Sequence, residues 1–193
     1  LSPYQLLTKS ASIDTIQEMK GLKIRGTGAT KELALQKLGM TPVAIVGAET
    51  RDALVKGTVD GIIFPLISLP PYGLDEVVKH TTIGQNFGSF IASYMINLDT
   101  WNKIPDDIKQ KINKINEETN QMACKAVDAL DEEGRQNLIS KGVNIVTLNA
   151  GDNKTIRKIS REIGEVWATN LDKRGKPGTK VLTEFMSHLG ENR

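Results

Sequence analysis

A single cysteine, Cys124, stands in this chain of 193 residues, so no internal disulfide can form. It lies beside Ala123 and Ala126 in a helical pattern, which suits a small packed residue better than a nucleophile. The two histidines, His80 and His188, are far apart, and no Cys or His cluster has metal-ligand spacing, so neither a metal nor a cofactor is expected. Aromatics make up only 5% of the chain, so its core must be mostly aliphatic. An excess of one charge is also lacking. The net charge of +2 is too small to argue for nucleic acid or an anionic membrane, and no basic run interleaves with aromatics. No apolar stretch approaches the roughly 18 residues of a membrane span. A Gly-x-Ser-x-Gly elbow and a Gly-x-x-x-x-Gly-Lys-Ser/Thr loop are both missing. Carboxylate runs such as Glu117-Glu118 and Asp131-Glu132-Glu133 fall on polar helix faces as solvated charge. The opening Leu1-Ser2-Pro3-Tyr4 has neither Met nor the shape of a signal peptide, as expected of a processed or shortened chain.

What is present is a recurrence. Leu22-Lys23-Ile24-Arg25, Pro42 to Val46 and Gly61-Ile62-Ile63-Phe64 read as short strands that begin about every twenty residues. Between them lie a helix over Thr30–Leu38, with Leu33, Ala34 and Leu38 on its inner face, and a second through Glu49, Ala53 and Leu54. Gly39 and Gly57 end them. This is a β-α-β-α-β unit, whose strands should be parallel, adjacent and covered on both faces. Leu69-Pro70-Pro71-Tyr72-Gly73 must break regular structure. Thr81 to Phe87 and Phe90 to Asn97 read as extended segments. From Asp106 to about Lys141, Ile108, Ile112, Ile115, Met122 and Ala126 form one apolar row, which predicts a single helix of roughly 50 Å. Val143 to Leu148 follows as a strand, Thr155 to Leu171 as an amphipathic helix, and Val181 to Leu189 as a final helix.

Arg25, Gly47 and Phe64 fall at or just past the C-terminal ends of the three expected strands, where open α/β sheets bind ligands. Arg25 also precedes Gly26-Thr27-Gly28 and a helix N-terminus, so a guanidinium, backbone N–H groups and a positive helix end converge on one place. Gly26-Thr27-Gly28 begins like a dinucleotide fingerprint, but Lys31 stands where its third glycine belongs. On geometry, Arg25 either receives an anion or makes a surface salt bridge to Asp60 or Glu49.

Met19-Lys20-Gly21-Leu22-Lys23-Ile24-Arg25 resembles the "LKGLKIR" signature of the solute-binding proteins of TRAP transporters, the DctP family. Leu38-Gly39-Met40-Thr41-Pro42-Val43 is similar to its "LGA-x-PV", and Glu49 through Ala53-Leu54, Gly57 and Val59-Asp60-Gly61 to its "E-x-x-x-AL-x-x-G-x-VDG". Glu76-Val77-Val78-Lys79 resembles "EV-x-K", and Asn97 with Thr100-Trp101 and Ile104-Pro105 resembles "N-x-x-TW-x-x-LP". The order and spacing hold from about Tyr4 onward. The resemblance implies a periplasmic-binding-protein-like α/β fold closing as a clamp, and periplasmic capture of a small organic acid. It also implies delivery to a pair of TRAP transporter membrane subunits. The arginine of "KIR", here Arg25, then grips the ligand's carboxylate.

Family members carry a further stretch before this point that forms most of a first lobe. Residues 1–90 and 131–193 are therefore expected to form the second ligand-binding lobe, with 91–130 linking to the first. An asparagine marks sialic-acid-type members where Phe64 stands here, and an aromatic marks them where Gly47 stands. Their second arginine would fall near Tyr4 and Gln5. A hydrophobic or aromatic acid is accordingly expected, with Asn86 and Phe87 as further ligand contacts and a dimer through the long helix in this piece. The competing readings are an α/β enzyme acting on an anionic substrate, which would need a general base beside Arg25, and a sensor effector domain.

Overall fold

The computed structural model describes residues 2–189; residue 1 and residues 190–193 of the expected lobe lie outside the described residues. In chain order the strands are β1 (Gln5–Thr8), β2 (Lys23–Arg25), β3 (Thr41–Val43), β4 (Gly61–Phe64), β5 (His80–Thr82) and β6 (Asn144–Val146). The helices are α1 (Ile16–Met19), α2 (Ala29–Lys37), α3 (Thr50–Val55), α4 (Leu98–Asn102), α5 (Asp106–Ser140), α6 (Ala150–Asp172) and α7 (Gly178–Leu189). The strands form one sheet in the order β3-β2-β4-β1-β5-β6.

The expected parallel unit is there. Arg25 of β2 stands opposite Val43 of β3 on one side and Ile62 of β4 on the other, both pairings parallel. What the sequence pattern did not reveal is β1, which runs antiparallel between β4 and β5 with Gln5 opposite Phe64 and Leu7 opposite Thr81. All four residues of β1 are buried, so its polarity does not alternate and no strand period exists to read. The sheet is therefore mixed, and its outer strands β5 and β6 are again parallel.

Successive residues of β1 and β4 feed opposite faces, as a pleated strand requires. Leu6 and Ile63 join Ile24, Leu35, Phe87 and Ile156 on one side. Leu7 and Ile62 join Leu54, Phe64, Leu66 and Leu138 on the other. Gly61 admits no side chain between these layers: a Cβ there would lie 2.5 Å from the Leu7 carbonyl oxygen and 2.9 Å from Ile24. The inner face of α2 needs one correction. Leu35 is fully buried and Leu38 nearly so, whereas Leu33 and Ala34 are half-buried, because Leu33 turns toward Ile163 and Trp167 of α6. α6 starts at Ala150, earlier than its apolar period, because the Asn149 side chain caps it by accepting from the Asp152 N–H at 2.9 Å.

The long helix spans 35 residues, Asp106–Ser140, as the apolar row predicts. Only its C-terminal end is packed. Gly134 lets the helix approach the turn after β4 so closely that a Cβ would sit 3.2 Å from the Leu66 carbonyl carbon, and Leu138 is fully buried. The buried Asp75 carboxylate fastens this end, pairing with Lys141 and accepting from Asn137 Nδ2 at 3.1 Å. Burial would raise the Asp75 pKa, but the hydrogen bonds from Lys141 and Asn137 and the charge of Lys141 outweigh it and hold the carboxyl below its ordinary value. Residues 90–97 form no strand. The Asn97 side chain ends this segment by capping α4, accepting from the Asp99 and Thr100 N–H groups. This is the local reason for an asparagine ahead of Thr100-Trp101.

Candidate functional site

The site is built at one end of the sheet, where the parallel strands finish and the antiparallel β1 begins. Arg25 is the last residue of β2 and Phe64 the last of β4. Because β1 runs the other way, its start puts Gln5 opposite Phe64 and brings Tyr4 to the same edge. The Arg25 guanidinium carbon lies 5.2 Å from the centroid of the Phe64 ring. Tyr72 meets Phe64 edge-on, with centroids 5.4 Å apart and planes at 78°, and Tyr4 meets it tilted at 6.3 Å. These are ordinary spacings for packed aromatic pairs and for a cation over a ring. Gly47 completes the cluster, since a Cβ on it would lie 3.2 Å from the Tyr72 ring.

The electrostatics set Arg25 apart. It is 6% exposed, and its Nε donates to the Ile45 carbonyl at 2.9 Å. No carboxylate pairs with it among the described residues. Asp60, one of the two salt-bridge partners weighed from sequence, instead accepts from the Lys23 backbone N–H at 2.8 Å. Glu49, the other, forms no ion pair among the described residues. Burial lowers the Arg25 pKa against the opposing pull of Tyr4 and Tyr72, yet a guanidinium stays charged at neutral pH. The hydrogen bond that Arg25 makes among the described residues comes from Nε, which leaves its two terminal nitrogens for a ligand. A desolvated cation with an open fork suits a carboxylate, which can accept two parallel hydrogen bonds.

Lys31, on the first turn of α2, adds a second cation. Its Nζ lies 4.5 Å from the Tyr4 ring centroid, and it faces the Ser89 carbonyl at 3.4 Å. Sequence reasoning missed Lys31, Tyr4 and Tyr72. Tyr72 was legible only as part of a Pro-Pro-Tyr-Gly break, and Tyr4 would have required seeing β1.

Of the residues singled out from sequence, Arg25, Gly47 and Phe64 are brought together. Phe87 is buried at 4% exposure in the core layer with Leu6 and Ile63, on the opposite face from Phe64, and its N–H donates to the Tyr4 carbonyl at 3.1 Å. Asn86 is exposed, and its side-chain oxygen accepts from the Gly88 N–H at 3.0 Å. A groove elsewhere, about 280 Å³ between α2 and α6, is lined by residues that include Leu33, Ile163 and Trp167 but not Arg25.

Comparison with known proteins agrees with the fold. The family model of bacterial extracellular solute-binding protein family 7, DctP, matches residues 4–170. The outer membrane transporter protein TsaT of Comamonas testosteroni is 22% identical over 195 residues, covering 99% of this chain and 57% of that protein. A TRAP solute-binding protein from Rhodoferax ferrireducens T118, solved with copurified benzoate, is 26% identical with a TM-score of 0.76 and covers 94% of this chain and 58% of its own. A TRAP periplasmic solute-binding protein from Rhodoferax ferrireducens, solved with bound malonate, is 21% identical with a TM-score of 0.83, over 99% of this chain and 60% of its own. This chain thus spans 57–60% of the length of these three relatives.

Proposed function

The chain belongs to bacterial extracellular solute-binding protein family 7, the DctP family, and from that membership we propose that Arg25 grips the carboxylate of a small organic acid while Phe64 packs against its apolar part. The family is one of binding proteins, not of enzymes, which sets aside the enzyme and sensor-domain readings. The observation that carries the proposal is the Arg25 guanidinium, buried over the Phe64 ring without a carboxylate partner among the described residues. The aromatic wall of Phe64, Tyr72 and Tyr4 favours a hydrophobic or aromatic acid, and the relative solved with benzoate supports that choice. Asn86 contributes from the loop after β5, and Phe87 supports Tyr4 from beneath. In the cell, the acid would be captured in the periplasm and handed to TRAP transporter membrane subunits. Residues 1–90 and 131–193 act as one lobe in this reading. Residues 91–130, which are exposed or at most half-buried, meet the remainder of the full-length protein.

Calorimetric titration of the full-length protein with benzoate tests the clamp. Truncating one partner of a desolvated charge pair costs about 2–5 kcal/mol, or roughly thirty- to several-thousand-fold in affinity. Arg25→Ala should show a loss of that size, and Arg25→Lys should lose most of the binding, because an ammonium cannot copy the bidentate fork. A folded Arg25→Ala protein that binds within threefold of wild type would refute the assignment.

A further inference from the structure

The Arg25 clamp accounts for one carboxylate and one apolar ring, but the cluster holds more positive charge than that needs. Lys31 approaches from α2, its aliphatic stem running against Gly88, where a Cβ would meet it at 2.9 Å. Its ammonium is parked over the Tyr4 ring at 4.5 Å. Tyr4 in turn leans on Phe64, whose ring carries Arg25. The two cations therefore bracket one aromatic pair, Tyr4 and Phe64. Neither has a carboxylate within ion-pair distance among the described residues. The 3.4 Å contact to the Ser89 carbonyl is too long to satisfy an ammonium that can donate three hydrogen bonds.

We propose that Lys31 is a second ligand-gripping residue of the Arg25 site, and that the site prefers an aromatic acid carrying a second anionic group over a simple aromatic monoacid. The inference rests on the Arg25 reading and extends it to substrate class. Burial and the nearby Arg25 charge both lower the Lys31 pKa, so the two cations feel one another. Their repulsion is relieved when anionic groups enter between them. One carboxylate belongs to the Arg25 fork, the ring lies along Phe64 and Tyr4, and the far anionic group meets the Lys31 ammonium. That ammonium is a compact charge on a flexible stem and can swing from the Tyr4 face toward the ligand.

The test is a titration of the full-length protein with four probes: benzoate and the benzene-1,2-, 1,3- and 1,4-dicarboxylates. Wild type should bind at least one diacid about tenfold or more tighter than benzoate. Lys31→Met, which keeps the stem length, should weaken diacid binding about tenfold or more beyond any change in benzoate binding, so that the preference is lost, and Lys31→Arg should restore it. A wild type that prefers benzoate, or takes none of the four acids, overturns the proposal. So does a Lys31→Met protein that loses benzoate and diacid alike or keeps its diacid preference, because Lys31 would then be a structural support for Tyr4. Arg25→Ala measured on benzoate separates the two readings. If it binds normally, the clamp is wrong whatever Lys31 does. If it fails while Lys31→Met leaves the preference unchanged, only the second grip is wrong.

Discussion

The two ends of the long helix are opposites. Around Leu138, α5 is sealed against the turn after β4, with Gly134 permitting the close approach and Asp75 fastening the end to Lys141 and Asn137. Toward its start, the same helix shows Ile115 at 60% and Met122 at 71% exposure, and the preceding segment shows Tyr94 and Met95 almost fully exposed. An isolated exposed Leu or Ile is normal, but exposed apolar side chains recur along this stretch, at Ile91, Tyr94, Met95, Leu98, Ile115, Met122 and Leu130. The sheet end around Arg25 is packed by Phe64, Tyr72 and Tyr4, and its guanidinium has no carboxylate partner among the described residues. From Ile91 to Leu130 the side chains are exposed or at most half-buried.

The comparison breaks first if the sheet end is less rigid than it looks. Gly61→Val should cost about 3–5 kcal/mol, because the added Cβ collides with the backbone of β1 and cannot be relieved by a rotamer change. Chemical denaturation of the variant would read it, and a loss under about 1 kcal/mol would mean that β1 can shift, which would weaken the case for Tyr4 at the site.

The tie between the two regions should be sensitive to acid. The Asp75 pKa is depressed in the folded state, so its contribution is present above the ordinary carboxylate pKa and is lost as pH falls through the lower folded value. Protection of amides 134–141 against hydrogen exchange should therefore drop below about pH 4. Asp75→Asn should remove that dependence and cost about 1–3 kcal/mol at neutral pH. Equal protection in the variant and wild type across this range would show that the helix is held by apolar packing alone.

The smallest effect belongs to the exposed row. Met122→Ala in the 193-residue chain, at a concentration low enough to keep it monomeric, should change stability by less than about 0.5 kcal/mol. We expect this chain to self-associate through that row, and Ile115→Asp with Met122→Asp should make it monomeric by light scattering. A monomeric wild-type chain would remove the dimer from this picture. A Met122→Ala cost above about 2 kcal/mol would mean that the row is already covered.

Local order was legible where side chains repeat with a period. The parallel trio β2, β3 and β4 followed from strand–helix spacing, and α5 from its apolar row, because each residue's role there depends on neighbours a few positions away. Arg25 and Phe64 could be placed together because the ends of adjacent parallel strands must lie side by side. Leu35 shows the limit even there: both Leu33 and Leu35 are apolar, and only the position of α6 decides which one faces the sheet.

The sequence by itself thus determined the strand–helix alternation, the long helix and the sheet edge at which Arg25 and Phe64 lie together, since these follow from short-range periods and glycine stops. The tertiary structure alone decided that β1 enters the sheet antiparallel beside β4, that Tyr4 and Tyr72 meet Phe64, and that Lys31 sits over Tyr4. Those contacts join residues scattered from position 4 to position 72, through a four-residue strand buried on both faces, and no local pattern encodes a pairing of that kind.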